Sequence, residues 1–456
     1  MRPTIRYVLG FVAVALCVAC GEKGVANPVP NGPDQALNPN TAGEAPAPPI
    51  QKAPRKVPRG KATGVEFENV LVGGGKKPKP VPPVPCALQS MPNGQGFYVL
   101  GRDGDLWRYS TPLESLPFRE KRNDPGAETH DGVIVKARIE GSFAYGDMGT
   151  IGMTLDPGFH SNRYFYVWYC DAKGKAGDNL LLDRFTDGTT AKEIEASRTN
   201  IITISRSDPP KPFHMGAVLT WLTDNSLVIF TGDAEQPELA QDKKDLNGKV
   251  LRIVPLAGGG YAVPKDNPHV GDTAWAPEII ASGLRAPFRG ATSVDRKYVW
   301  FGDVGADHEE INVWKVGATA NFGWGLTAVS DGFLKKDGVT DPQVVWTPSE
   351  DYSSEDPAYT GETRLSAAVG VIYDRRAPDR YQGLLSNKVV FFDIMRGWVR
   401  CGPILRGDSM ADHAHIGHRV FIADMLVGSD GYIYGLSWGR PEALFRMRIK
   451  GELDPE

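Results

Sequence analysis

Three shortages bound this sequence. Its 456 residues include only five cysteines, no block of lysine and arginine, and no apolar run long enough to span a membrane as a helix. With 51 basic against 55 acidic residues and a net charge of −4, the chain lacks the electrostatic grip that sequence-independent binding to DNA or RNA requires, so no nucleic acid is expected as a partner. The cysteines form no Cys-x-x-Cys-His, which excludes c-type haem attachment of the usual kind. Two of them, Cys17 and Cys20, fall in the first twenty residues. The other three, Cys86, Cys170 and Cys401, leave room in an oxidising compartment for one disulfide and at least one free thiol, without saying which pair.

Glycine and proline are plentiful, at 52 and 36 residues. With 9% aromatic residues, that suits many short strands and turns better than a helical bundle. The length would hold two or three average domains, or a single all-β propeller.

Residues 1–20, MRPTIRYVLGFVAVALCVAC, set Arg2 and Arg6 before an apolar stretch and small residues before Cys20. This is a secretory signal, too short and wrongly flanked for a spanning helix. Its ending, Val18-Ala19-Cys20-Gly21, resembles a bacterial lipobox, with Cys17 where leucine usually stands. The expectation is export to the cell envelope, with Cys20 as the lipidated first residue on a bacterial membrane; a plain signal cut nearby is the alternative. Residues 21–62 are proline-rich and poor in aromatics, so they read as a disordered tether.

From about residue 63 to 450 one pattern recurs: an apolar strand, a turn rich in Asp, Asn, Pro or Gly, a second alternating strand, a tight turn and a third strand. Six copies begin at Ala87, Ile151, Ala217, Ala291, Ala368 and Asp424. Period-2 alternation with turn punctuation makes them strands. None can bury both faces alone, which predicts an all-β, six-bladed β-propeller of four-stranded antiparallel sheets. The segment Val65–Val72 would then supply the outer strand of the last blade and lock the ring. A pair of β-sandwiches is the competing architecture, but it would not demand the same turn pattern six times. A site belongs at the channel mouth.

The fullest copy is the stretch from Gly283 to Gly325, GLRAPFRGATSVDRKYVWFGDVGADHEEINVWKVGATANFGWG. Together with Gly146-Asp147-Met148-Gly149 and Asp156-Pro157-Gly158-Phe159, with His214-Met215-Gly216 and Thr231-Gly232-Asp233, and with the closing hairpin from Asp424, it resembles the glucose/sorbosone dehydrogenase family. That family includes soluble PQQ-dependent glucose dehydrogenases, aldose sugar dehydrogenases and the propeller of hedgehog-interacting proteins. The resemblance covers about residues 63 to 450 and implies oxidation of an aldose at C1, with pyrroloquinoline quinone (PQQ) over the channel mouth, calcium beside it and an external electron acceptor.

Residue by residue, the resemblance implies His214 as the base that takes the hydroxyl proton and Arg285 as the cation that polarises the accepting carbonyl. Imidazole suits general base work near neutral pH, and a permanently charged guanidinium suits a developing oxyanion. Asp147, Arg285 and Arg396 are the implied cofactor contacts, and the main-chain carbonyls of Gly305 and Ala306 the implied calcium ligands. That corner is one residue shorter than the family's. The bland readings are a packed inner-strand histidine for His214 and a salt bridge between blades for Arg285.

The sequence also departs from the family. Phe213 replaces the acid before the histidine, Ala286 the Asn after the arginine, and Phe421 and Ala423 the two cations that clamp the cofactor carboxylates in glucose oxidisers. Met395 stands for a further Lys, with Arg396 beside it. Charge-assisted pairs contribute about 1.5 to 3 kcal/mol each, so a weakened cofactor grip is expected. A non-catalytic propeller that binds a saccharide or a protein is the alternative function.

Three further features stand out. His413, His415 and His418 lie in one short run where, on a regular strand, His413 and His415 would share a face and suit a transition metal; a polar loop between blades is the alternative. Asp307, His308, Glu309 and Glu310 form an acidic corner expected to hold its turn. Trp314, Trp324 and Trp346 read as blade-core aromatics rather than sugar platforms.

Overall fold

The computed structural model describes residues 61–72, 81–118, 132–142, 144–171, 179–206, 211–326, 338–374, 378–404, 412–439 and 441–452. The expected signal, Cys20 and nearly all of the expected tether lie outside them. Six sheets succeed one another along the chain, as the repeat predicts, and each is an antiparallel blade with its inner strand first. The inner strands are Pro85–Ser90, Thr150–Leu155, Val218–Trp221, Pro287–Thr292, Ala367–Tyr373 and Ile422–Val427. Among the described residues, no helix is long and apolar enough to cross a membrane.

Blades pack face to face, so a middle strand is covered on both sides and reads as a continuous apolar run. Phe97–Gly101 (FYVLG) and Leu227–Phe230 (LVIF) are buried at every position for this reason. The buried apolar residues fall into six clusters, one at each contact between neighbouring blades. No contact is left open, and the hydrophobic core is itself a ring. Cys86, Cys170 and Cys401 are free thiols buried within it, so none of the three is in a disulfide.

The ring closes through the segment that alternation predicts. Val65–Val72 pairs antiparallel with Ala443–Ile449 and becomes the outer strand of the sixth blade. Blade 3 departs from the four-stranded plan by two short additions, Tyr261–Ala262 and Ala320–Asn321, the latter parallel to Ile279–Ser282. The Asn-Phe-Gly-Trp-Gly ending of the stretch that opens at Gly283 therefore folds back onto blade 3 instead of completing blade 4.

The channel is bridged part-way along. Arg289, on the inner strand of blade 4, donates through Nε to the Ala423 carbonyl at 2.6 Å and through Nη2 to the Cys86 carbonyl at 2.8 Å, reaching blades 6 and 1. Asp424 lies 3.8 Å from the same guanidinium and accepts the Leu88 N–H at 2.8 Å.

Candidate active site at one mouth of the channel

The inner strands all start at one end of the channel, and the site is assembled from the loops that lead into them. His214 precedes the inner strand of blade 3 with φ at +61°, an uncommon conformation for a residue with a Cβ. Four hydrogen bonds hold this loop in place. Its N–H donates to Asp147 Oδ2 at 3.0 Å, while the Asp147 N–H donates to the Pro212 carbonyl at 2.7 Å, so the loops entering blades 2 and 3 are joined. The preceding residue, Phe213, donates its N–H to Glu235 Oε1 at 3.0 Å and accepts at its carbonyl from Arg206 Nη2 at 2.7 Å. Gly216 follows at φ +66°, where a Cβ would stand 2.4 Å from the Phe230 carbonyl oxygen; only glycine permits that approach. Local strain locked by its surroundings is characteristic of functional loops.

The imidazole Nδ1 lies 2.6 Å from Asp233 Oδ1. Asp233 is fully buried three residues beyond the second strand of blade 3, and it also accepts from Trp324 Nε1 at 2.7 Å and from the Glu235 N–H at 2.8 Å. Burial alone would raise its pKa, but His214, Arg285 and Trp324 outweigh that cost and hold the carboxyl below its usual value. An ionised Asp233 fixes the hydrogen on Nδ1 and leaves Nε2 as the proton acceptor.

Arg285 is tied to the same carboxylate residue through its backbone, since its carbonyl accepts the Asp233 N–H at 2.8 Å. Its own N–H and that of Ala286 donate to Asp303 at 3.0 and 2.6 Å. The guanidinium stands 5.3 Å over the Trp324 ring and donates through Nη1 to the Val304 carbonyl at 2.5 Å. Its Nε is buried with no hydrogen-bond partner. Gly283, Arg285, Asp303, Gly305, Phe322 and Trp324 line a small cleft here. The structure thus brings His214, Asp147, Arg285 and Gly305 to one mouth. Gly305 makes its corner so tightly that a Cβ would fall 1.5 Å from the His308 carbonyl oxygen, and Ala306 beside it is exposed.

Arg396 is placed differently. Its guanidinium forms an ion pair with Asp351, donates to the Pro348 carbonyl at 2.9 Å, and is 3% exposed, so its hydrogen bonds go to the segment that leads into blade 5. Phe421 packs at 6.4 Å from Trp438, and Ala423 is fully buried with its carbonyl given to Arg289. Reasoning from sequence overlooked Asp233, quoted only as part of a fold motif, and Trp324, expected in a blade core. Trp314 and Trp346 are core residues as expected.

The rings of the histidine run are taken up by protein partners. His413 Nδ1 accepts from Arg400 Nε at 2.7 Å, whereas His415 and His418 converge on Asp356 at 3.7 and 2.5 Å. A β-bulge at Ile416, between the pairs Val399–Gly417 and Arg400–His415, brings positions 415 and 418 to one side. Among the described residues no group of three His, Cys, Asp or Glu side chains is arranged to hold a metal ion.

Asp303 supplies a prediction. Burial pushes its carboxyl up to about 6, even though two backbone N–H groups and Arg285 favour the ionised form. An acid whose folded pKa is raised lends stability below its unfolded value of 3.8 and loses it as pH rises through about 6. Asp303→Asn removes that titration. Measured by urea unfolding, the variant's stability relative to wild type should therefore improve by about 2.4 kcal/mol between pH 4 and pH 7. A pH-independent difference would refute the assignment.

Comparison with known proteins agrees with this geometry. The sequence profile of the Glucose / Sorbosone dehydrogenase family matches residues 85–439. The Uncharacterized protein slr1608 of Synechocystis sp. is 25% identical over 54% of this chain and 62% of its own length, so the chain spans a little under two thirds of that relative. The Aldose sugar dehydrogenase YliI of Escherichia coli is 24% identical over 77% of this chain and 86% of its own. A solved structure, the PQQ-bound form of Aldose Sugar Dehydrogenase from Streptomyces coelicolor, aligns at a TM-score of 0.59 and 17% identity over 85% of this chain and 98% of that one, which shows a shared fold. The six closed blades, the order of the loops at the mouth and a profile match over most of the chain lead to one conclusion: the protein belongs to the Glucose / Sorbosone dehydrogenase family.

Proposed function

We propose that the protein is an exported sugar dehydrogenase that oxidises the C1 hydroxyl of an aldose, with PQQ as its hydride acceptor. The observation that carries this reading is the way Asp233 joins His214, through Nδ1, to Arg285, through the main chain, at one channel mouth. Asp233 orients the imidazole, and His214 Nε2 removes the proton from the C1 hydroxyl as C1 loses hydride and the C1–O1 bond becomes a carbonyl, which yields the lactone. The Arg285 guanidinium, which lines the cleft, is suited to an oxygen on which negative charge grows. When bound, PQQ supplies an ortho-quinone that is reduced by two electrons, which an external acceptor then removes. Phe213, Phe322 and Trp324 would shield the reacting atoms from water.

These residues fit the reacting end of PQQ. Its carboxylates find less, since Phe421 and Ala423 are apolar and Arg396 is engaged with Asp351. A calcium ion at the Gly305 and Ala306 corner would rest on main-chain carbonyls. The thin carboxylate clamp favours a second reading, a propeller that binds a saccharide or protein without turnover.

One experiment separates the two. The purified domain, given PQQ and calcium, is expected to reduce a redox dye in the presence of aldoses, and His214→Ala to abolish the reaction while retaining the fold by circular dichroism. No dye reduction, together with no change in quinone absorbance on titration, would leave only the binding reading. We further propose that the protein reaches the cell envelope and is held there by acyl chains on Cys20. Radiolabelled palmitate should enter the wild type and not Cys20→Ser; equal labelling of both would overturn the anchor.

A further inference from the structure

A second cavity lies where the inner strands end, at the opposite mouth of the channel from His214. It measures about 600 Å3, within the range of small-molecule sites of roughly 300–1,000 Å3. Four blades line it. Thr220 and Thr292 come from the ends of the inner strands of blades 3 and 4, Asp374 from just beyond that of blade 5 and Ser429 from just beyond that of blade 6. Ser293 and Arg296 complete its polar lining, and Ile372 and Val427 give it aliphatic wall.

The chemistry of this lining is specific. Thr220 Oγ1 and Thr292 Oγ1 are 2.6 Å apart, bonded across the boundary between two blades. Two paired hydroxyls use one of their two hydrogens on each other, so the pair still offers one donor and several lone pairs to the cavity. Among the described residues, the lining carries one basic and one acidic side chain, a balance that suits a neutral ligand and gives a polyanion no cluster of cations. It contains no aromatic ring on which a flat heterocycle could stack. Alternating hydroxyl and aliphatic groups match a molecule whose surface alternates in the same way, which is the surface of a saccharide.

A side chain stands between the two mouths. Arg289 lies between them on the inner strand of blade 4, one turn of pleat beyond the Arg285 end and short of Thr292, and its bonds to the Ala423 and Cys86 carbonyls bridge the channel.

We propose that this cavity is a binding site for a neutral, polyhydroxylated ligand of mono- or disaccharide size, distinct from the site of His214 and independent of any cofactor. The test is saturation-transfer NMR and calorimetry on the purified chain without PQQ, using glucose, maltose and myo-inositol as probes. Saturable binding is expected for at least one probe, unchanged in His214→Ala and weakened about tenfold in Thr220→Val, which removes one hydroxyl at nearly constant shape. Ser429→Trp, at an exposed position on the rim, should block the cavity without entering a blade core. Absence of saturable binding by all three probes would overturn the proposal. So would binding that His214→Ala abolishes and Thr220→Val and Ser429→Trp leave intact, since that would place the saccharide at the first mouth only. Failure of turnover with PQQ would not bear on this result, because no step of the test requires it.

Discussion

Asp233→Asn is expected to lower dye-linked sugar oxidation by roughly two to four orders of magnitude while leaving the propeller folded. The carboxylate accepts three hydrogen bonds in a fully buried position, from His214, Trp324 and the Glu235 N–H. An asparagine has one oxygen, so at least one of these donors would face an amide N–H instead. If the imidazole turns or adopts the other tautomer, Nε2 carries a hydrogen and can no longer act as the base. The effect should fall on kcat more than on KM, because Asp233 acts through His214 and its buried carboxylate has no exposed surface with which to meet a substrate. It should also be non-additive: on a His214→Ala background, Asp233→Asn should cost little further, as residues acting as one unit do. Equal losses in both backgrounds would show that Asp233 serves the fold instead. Asp147→Ala tests the same histidine from its main chain, since it removes the acceptor of the His214 N–H and relaxes a residue held at φ +61°.

Which parts of this arrangement could be read in the sequence follows from how locally each is determined. The blades were legible because a strand covered on both faces must be apolar throughout, and LVIF at 227–230 or VVFF at 389–392 carries that mark without reference to any partner. Ring closure by Val65–Val72 was legible from a different mark, the partial alternation of VEFENVLV. Trp324 was not. Its place in the site depends on Ala320–Asn321 pairing with blade 3, a two-residue strand with no period to detect, held by Asn321 bonds to Gln241 and to the Gly323 N–H. The histidine run misleads because one bulged residue, Ile416, brings His418 to the side of His415, where both meet Asp356, while His413 is taken by Arg400. Arg396 looked available to a ligand because its partner, Asp351, lies 45 positions earlier in a segment without strand character. In each case the deciding contact is between residues far apart in the chain, and residue type alone does not announce it.

Glu68→Leu is expected to cost about 3 to 5 kcal/mol of stability, a larger loss than at most other single positions of the ring. Glu68 sits on the strand that closes the propeller, and its Oε2 lies 3.2 Å from Arg446 Nη1 and 3.4 Å from Arg448 Nη1, with all three side chains at most 1% exposed. A leucine of similar size fills the space but leaves two buried guanidinium groups facing each other. Arg446 would keep its bond to the Leu116 carbonyl at 2.7 Å, and Arg448 its ion pair with Glu452 at 3.2 Å, so the loss should stop short of complete unfolding. The consequence reaches beyond local stability. Among the described residues, Val65–Val72 is the one strand of blade 6 contributed by the N-terminal end of the propeller, and its pairing with Ala443–Ile449 adds main-chain hydrogen bonds to the packing of last blade on first. Weakening it should open the ring there first. Hydrogen exchange should accordingly show lost protection in 65–72 and 443–449 under conditions where 298–303 and 388–393, central strands of blades 4 and 5, remain protected. Uniform loss across all six blades would mean that the ring unfolds as one unit and that this closure is not its weakest seam.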